Sequence, residues 1–462
     1  MKTKVLFINT IHPNVEVEQR HPPLGLGYLA SALAKHFGKN LFEIKIIDRA
    51  VQELFGDFQP DIVFISSVTQ NFDIARDYAR FIKQQKKQIP VIIGGIHITM
   101  MPASLDDNFD LGVIGEGEET IVELLEIFLK KKALLAENIR EVKGIIFRED
   151  GNIHFSDPRT AITNIDFITM PARQYLKIDK HTYMFTSRGC PYKCVFCAST
   201  RFWNTVRFFS AEYVYREIRE LADNYDVRLI SLYDDLFIAN RKRLKEISSL
   251  IKRDAKLRKV QFTCNVRANL VDDEVVQTLK EMNVLSVNMG LESGCERTLE
   301  YLKPAVTLQQ NMDAVKTVKK YGLACNGSFI IGCPHETKED ILETYQFVKK
   351  IPINLTDIYA LTPYPGTPVW DYAKSRGLVS EDMQWSKLDV NFQNNYENAI
   401  IVSETLNRQE IIKLFKKFYR LRFFKNCLGI ITHPYLMDVP RIGIKALFEK
   451  FSRIKAKFCS HR

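Results

Sequence analysis

The chain has 462 residues, 46% hydrophobic and 26% charged, enough for two or three domains with cores of their own, and no apolar run reaches the ~18 residues that span a bilayer. Its nine cysteines are odd in number and none precedes Cys190, which argues against a secreted disulfide framework and for a reducing cytoplasm. The net charge of +10 is local, because residues 408–462 hold 14 Lys/Arg against Glu410, Asp438 and Glu449, and the rest of the chain is near neutral.

Lys2 and Lys4 precede a short apolar run that is followed by prolines and acids, so a first β-strand is expected rather than a signal peptide. Residues 5–8, 42–47, 62–65, 91–93 and 111–114 read as buried strands, with helical patterns at 26–37, 73–86 and 119–131 between them. This alternation predicts a doubly wound, Rossmann-like parallel sheet. Ligands of such sheets sit beyond the carboxyl ends of the strands. The loops expected there are Pro22-Pro-Leu-Gly-Leu-Gly27, Ser66-Ser-Val-Thr-Gln70, Gly94-Gly-Ile-His-Ile-Thr99 and Gly115-Glu-Gly-Glu118. Asp150-Gly151 marks a hairpin within 144–155, and Pro158 and Pro171 punctuate a linker over 156–178.

The alternation resumes near Thr182, with strands expected at 229–233, 262–266, 286–289, 327–331 and 357–362. Helical patterns at 211–224, 241–256, 272–282, 308–321 and 337–350 separate them. About six β/α units make a partial TIM-type barrel, short of the eight of a closed one. Residues 371–462 are mostly helical in pattern. The expected boundaries are 1–140 for the sheet domain, 141–178 for hairpin and linker, 179–375 for the partial barrel and 376–462 for the basic, helical C-terminal region.

Cys190, Cys194 and Cys197 fall within Ser187-Arg-Gly-Cys-Pro-Tyr-Lys-Cys-Val-Phe-Cys197. The C-x3-C-x2-C spacing puts three thiolates on one tight loop, enough for three irons of a 4Fe–4S cubane with the fourth left open. Clusters that only carry electrons usually have four cysteines. An open iron accepts an amino acid through its amine and carboxylate. S-adenosylmethionine (SAM) is such a ligand, and a cluster electron can cleave its sulfonium C–S bond.

This segment resembles the signature of the radical-SAM enzymes, in which three cysteines ligate the cluster and a 5′-deoxyadenosyl radical is the product. Phe196 is similar to the family aromatic near adenine. Tyr233-Asp-Asp-Leu-Phe237 resembles the segment after the second barrel strand, which implies Asp235 as a SAM contact. Arg267, ending Asn265-Val-Arg267, is placed to meet a SAM carboxylate. Gly290-Leu-Glu-Ser-Gly294 is similar to the family's GxESG turn, implying Glu292, and Ser328 is implied on the next strand. Ile331-Gly-Cys-Pro-His-Glu-Thr337 resembles the GxPGET turn, implying Gly332 and Glu336. His335 stands where that turn has Gly, a departure that bears on how closely backbone can approach. Thr362-Pro-Tyr-Pro-Gly-Thr-Pro368 resembles the PGT segment.

The glycine-rich loops of the first domain resemble those of the cobalamin-binding domain found ahead of many radical-SAM domains. Glycine suits backbone that must approach a broad flat ring. The implied contacts are Pro23, Leu24, Gly25, Ser66, Thr69, Gly94, Gly95, His97, Thr99, Glu116 and Gly117. No D-x-H-x-x-G occurs, since Asp48 is followed by Arg-Ala-Val. Cobalamin without a histidine ligand to cobalt is therefore implied, with His97 a contact to the cofactor.

The resemblance implies an enzyme that functionalises an unactivated carbon with a 4Fe–4S cluster, SAM and cobalamin. C-methylation is the commonest outcome, and cyclisation or rearrangement uses the same cofactors. A non-catalytic cobalamin or iron–sulfur sensor is the alternative from another class, though a sensor would not need the SAM-type turns. A methylthiotransferase would carry three further cysteines in the first domain. The implied partners are a small-molecule or lipid-like substrate and an electron donor such as a flavodoxin or ferredoxin. Residues 414–425 and 444–458 alternate cations with apolar residues at helical spacing. That suits peripheral contact with an anionic membrane better than nucleic acid, and a solvated face on a packed helix accounts for the same pattern. No catalytic acid or base is assigned.

Overall fold

Four short, largely buried apolar runs and a half-buried edge strand build the parallel part of the first sheet of this computed structural model, which describes residues 2–12, 21–203, 205–392, 395–431 and 433. They are β1 (Thr3–Asn9), β2 (Phe42–Ile47), β3 (Ile62–Ser66), β4 (Val91–Gly94) and β5 (Leu111–Val113), followed by β6 (Ile145–Glu149) and β7 (Asn152–Phe155). The sheet order is β2-β1-β3-β4-β5-β6-β7, parallel through β5 and antiparallel beyond it. Asp150 and Gly151 join β6 to β7 with φ of +51° and +81°, the left-handed pair that a two-residue hairpin requires. Helices Leu24–Phe37 and Glu118–Lys131 cover one face, where Leu26, Ala30, Leu33, Leu124 and Phe128 meet Val5, Phe7 and Phe64. Glu118 and Glu119 open the second of these helices and Lys130 and Lys131 close it, each matching the helix dipole.

The chain forms two units, Met1–Asp235 with Thr362–Val402, and Leu236–Leu361 with Ser403–Arg462. Besides the sheet, the first holds β8 (His181–Met184) paired in parallel with β11 (Leu229–Leu232), and β9 (Ser187–Arg188) antiparallel to β10 (Arg207–Phe208). Its returning segment contains helix Pro368–Ser375 and Trp385, which is 1% exposed. Trp385 stacks on Trp370 at 6.0 Å, and its backbone N–H donates to Asp73 at 3.0 Å.

The second unit holds β12 (Gln261–Val266), β13 (Val284–Glu292), β14 (Ala324–Ile331) and β15 (Leu355–Ala360), each parallel to the next. Helices Asp273–Glu281, Glu296–Leu302, Leu308–Lys320 and Lys338–Lys350 are the crossovers that parallel strands need. Capping boxes at Thr307 and Thr337 start two of them. Strands β8, β11 and β12–β15 are the six of the expected half-barrel. Helix Arg408–Ile431 closes the described chain along β15: Arg422 bonds Asp357 at 2.8 Å, Asn426 accepts from Thr356 N–H at 2.7 Å, and Gly429 rests on the Asn354 carbonyl. The amphipathic stretch expected at 444–458 lies outside the described residues. No described helix is long and apolar enough to cross a membrane.

Candidate functional site

The cysteine loop begins where β8 and β11 end. Asp234, fully buried, accepts from the Thr186 N–H and hydroxyl at 2.5 Å each and from Ser187 N–H at 3.2 Å. Its neighbour Asp235, expected to contact SAM, accepts from Ser199 Oγ at 2.5 Å and from the Gly189 backbone. The two aspartates thus brace the loop at entry and exit. Gly189 has φ +91°, and a Cβ there would lie 2.9 Å from Thr205 O and Trp203 Cβ, so only glycine fits. Cys190, Cys194 and Cys197 are part-buried and in no disulfide, with a turn closed by Cys197 N–H on Cys194 O at 3.2 Å. Burial pushes the Cys197 thiol up to about 11. A bound metal reverses that preference, because it holds the thiolate. Phe196 is part-buried on the same loop.

The other expected SAM contacts lie in the second unit. Arg267 is 5% exposed, and its guanidinium bonds Asn269 Oδ1 at 3.0 Å and Pro304 O at 2.9 Å. Glu292 ends β13 with φ +61°, a strained conformation of the kind that gathers at functional sites. Its carboxylate lies 3.4 Å from buried Lys303, which also bonds Gly290 O. A side chain at Gly290 would collide with that carboxylate, and one at Gly294 with helix Lys338–Lys350. Ser328 stands between Gly290 and Asp357 in the strand register. Glu336 is fully buried and accepts from Gly332 N–H at 2.6 Å and Cys333 N–H at 3.0 Å. Its carboxylate ties the turn together, and burial raises its pKa to about 7. The left-handed residue of this turn is Gly332, at φ +91° with open space beside it. His335 is not among the left-handed residues, so the turn has no need of glycine there.

In the first unit the carboxyl ends of β1, β3, β4 and β5 form a continuous rim. Thr10 N–H and hydroxyl both donate to Ser66 O, at 3.0 and 2.9 Å. Gly95 has φ +101°, and a Cβ there would lie 2.6 Å from Ser67 O. Thr99 Oγ1 donates to Gly95 O at 2.9 Å and accepts from Gly115 N–H at 3.0 Å, joining two glycine loops. Thr69 is buried at the start of a turn that packs against Trp385–Lys387. Gly366, in the PGT-like segment, sits against Met100 of helix Ile96–Met100, and that helix packs on Ser199–Phe202 just after the cysteine loop. Sequence-expected cofactor loops of both kinds therefore meet within one unit.

Five of the expected cobalamin contacts, Pro23, Leu24, His97, Glu116 and Gly117, have structural surroundings of their own. Helix Leu24–Phe37 starts two residues earlier than its pattern suggested, so Pro22-Pro23 is a helix entry, where proline fits. Leu24 is consequently a core residue, 1% exposed. His97 is wholly buried between the Phe72 and Trp385 rings, with Nε2 on Ser104 Oγ at 2.9 Å. Burial, with a smaller push from Arg76, lowers its pKa to about 3, so it is a neutral core imidazole. The Glu116 carboxylate is taken up by Arg188, by Arg207 at 2.7 Å and by Ile162 N–H at 2.9 Å. Burial alone would raise its pKa, but the arginines outweigh it and hold the carboxyl below the usual range. Gly117 precedes helix Glu118–Lys131 beside Leu29.

Arg188, Asp234 and Lys303 were not singled out from the sequence. Arg188 stood in plain view inside the cysteine motif, and Asp234 beside the aspartate chosen instead. Lys303 had no signal.

Residues 184–348 match the radical SAM superfamily and residues 13–125 the B12 binding domain. An uncharacterized methyltransferase of Pyrococcus horikoshii is 34% identical over 447 residues, 93% of this chain and 90% of that protein. The chain belongs to the cobalamin-binding radical-SAM family. An anaerobic magnesium-protoporphyrin IX monomethyl ester cyclase of Cereibacter sphaeroides is 25% identical over 445 residues, 90% of this chain and 70% of the cyclase. The fold resembles the radical S-adenosylmethionine methyltransferase TsrM of Kitasatospora setae, solved with cobalamin and a [4Fe-4S] cluster, at TM-score 0.66 and 18% identity, covering 82% of this chain and 76% of that one.

The cofactors of this radical-SAM family are a 4Fe–4S cluster, SAM and cobalamin, and the residues present suit them. Three cysteines outside any disulfide, on one braced loop, are the ligand set of a cluster with an open iron. Gly94 and Gly115 on the rim, and Gly25 in the first turn of helix Leu24–Phe37, each face open space, with nothing within 4 Å of where a Cβ would stand. Those bare backbones are what a flat macrocycle needs.

Proposed function

We propose that this enzyme C-methylates an unactivated carbon of a small-molecule or lipid-like substrate. When bound, the cofactors supply a 5′-deoxyadenosyl radical from SAM at the cluster and a methyl carrier in cobalamin. In this reading Cys190, Cys194 and Cys197 hold three irons, and Asp234 and Asp235 keep their loop in place. Of the seven expected SAM contacts, Phe196, Ser328 and the backbone at Gly332 are proposed to touch SAM directly, while Asp235, Arg267, Glu292 and Glu336 shape the loops and turns that carry them. Gly25, Gly94, Gly95 and Gly115 admit cobalamin. The working boundaries are 1–140, 141–178, 179–375 and 376–462.

The observation that carries the reading is that the cysteine loop and the glycine rim belong to one unit and are ion-paired to each other through Arg188. A methyl carrier and a radical source held in fixed register suit transfer to a substrate carbon. The whole-length similarity to a protein named a methyltransferase supports the same outcome. Cyclisation is the second reading, supported by the similarity to the cyclase.

Anaerobic reconstitution with iron, sulfide, hydroxocobalamin, SAM and a reductant, followed by mass spectrometry, separates them. 5′-Deoxyadenosine together with S-adenosylhomocysteine supports methylation, and deoxyadenosine alone supports cyclisation or rearrangement. Absence of both, with the cluster in place, sinks the enzymatic reading in favour of a sensor. Cys194→Ser is the control and abolishes cleavage.

A flavodoxin or ferredoxin is the proposed electron donor. Peripheral membrane contact through the basic C-terminal region is supported by Phe424, Leu428 and Ile431, 66–71% exposed at spacings of four and three on helix Arg408–Ile431, near exposed Lys416 and Arg420. Sedimentation with anionic liposomes tests it. Equal pelleting of the full chain and a chain cut after residue 440 counts against attachment through the last residues.

A further inference from the structure

Arg188 lies two residues before Cys190, and its planar guanidinium spans two carboxylates of the rim. Nη1 bonds Glu116 and Nη2 bonds Glu118 Oε1 at 2.5 Å. Arg207, opposite Arg188 in the β9–β10 pair, takes the second Glu116 oxygen at 2.7 Å. Two cations and two anions therefore close a neutral network, with Arg188, Arg207 and Glu116 about nine-tenths buried. Two aromatic rings lie against the fork, Tyr28 at 5.5 Å and Trp203 at 5.4 Å. Few arrangements remain open to it, because a lysine's point charge could not serve both carboxylates at once.

Each end of the network touches a cofactor loop. Glu116 directly follows Gly115, whose N–H is held by Thr99 and which faces the open space of the rim. Arg188 directly precedes Gly189, whose packing against Trp203 and Thr205 leaves no slack before Cys190. A shift of Gly115 therefore moves Glu116, Arg188 and the first cluster ligand together.

We propose that Arg188 is a positioning residue that couples the cobalamin rim to the iron–sulfur loop, so that filling either site tightens the other. The coupling is reciprocal, because linkage between two binding equilibria must be. It rests on the two cofactors and not on which group is transferred.

The test titrates hydroxocobalamin by absorbance into the full chain, once with the cluster reconstituted and once stripped of iron. In the native protein, removing the cluster is expected to weaken cobalamin binding about tenfold, and adding cobalamin is expected to shift the electron paramagnetic resonance of the reduced cluster. Arg188→Gln keeps Arg207 on Glu116 and is expected to retain four irons per chain. Its two cobalamin affinities become equal, and the resonance no longer responds to cobalamin. Glu118→Gln, which frees only one arm of the fork, gives an intermediate ratio and decides the matter if Arg188→Gln fails to load iron. A native ratio of one overturns the proposal. So does a native-like ratio in Arg188→Gln, or in Glu118→Gln where the first variant does not load.

Discussion

Gly94 and Gly95 are neighbours at the end of β4, and the structure gives them opposite sensitivities to a single methyl group. At Gly95 the φ of +101° strains any other residue by about 1–3 kcal/mol. The added Cβ would also press on Ser67 backbone at 2.6 and 3.1 Å, an overpacking that costs roughly 1–3 kcal/mol more. Gly95→Ala should therefore lower stability by about 2–6 kcal/mol. At Gly94 nothing lies within 4 Å of the new atom. Gly94→Ala should unfold at the same temperature as the native chain or higher, because it removes freedom from the unfolded state, worth about 0.4–1 kcal/mol. Its methyl nevertheless occupies the space assigned to the macrocycle, and cobalamin affinity should fall at least tenfold, about 1.4 kcal/mol. Thermal unfolding without cofactor and absorbance titration with hydroxocobalamin read the two quantities separately. A Gly94→Ala chain that binds cobalamin as the native chain does would refute the assignment of the rim.

Glu336→Gln keeps an oxygen for the Gly332 and Cys333 amides but removes a carboxyl whose folded pKa, about 7, stands above the ordinary 4.5. The native chain loses stability as pH rises through that interval, so the variant should gain roughly 3 kcal/mol near pH 8 and nothing below pH 4.5; equal pH profiles would contradict this. His97 works in the opposite direction, since its pKa falls from 6.5 to about 3 on folding. Stability should decline as pH drops through that window at about 1.4 kcal/mol per unit, and His97→Phe should flatten the decline in the melting temperature. Arg173 and Glu217 form a fully buried ion pair, so Arg173→Met alone should cost about 3–5 kcal/mol. Adding Glu217→Leu should recover most of that loss in denaturant titrations, and a double variant no better than the single would argue against a lone buried charge.

Much of the fold was legible because strand and helix periods are written in local sequence. Residues 42–47 and the Asp150-Gly151 turn fall where expected, and the barrel helices agree within three residues. The cysteine spacing and the order of the turns behind it carried the family. Long-range polar ties were not legible. Which of two adjacent aspartates bonds the strand end depends on the register of β11 against β8, which no local pattern reveals. His97 sits in a glycine loop that looks open, yet Trp385, nearly 300 residues away in sequence, covers it. Leu24 was read as loop because prolines and glycines crowd it, although Pro22-Pro23 is a good way into a helix.

The first unit is not one continuous piece of sequence, and that limits how the protein can be cut. Residues 362–402 return to it after the chain has built most of the half-barrel, bringing Trp385 onto His97 and Tyr364 within reach of Gln70. A fragment ending at residue 140 would lay bare the aromatic face around Phe72 and forfeit the Asp73 contact. Chimaeras that borrow this cobalamin platform must therefore carry the late strap with it.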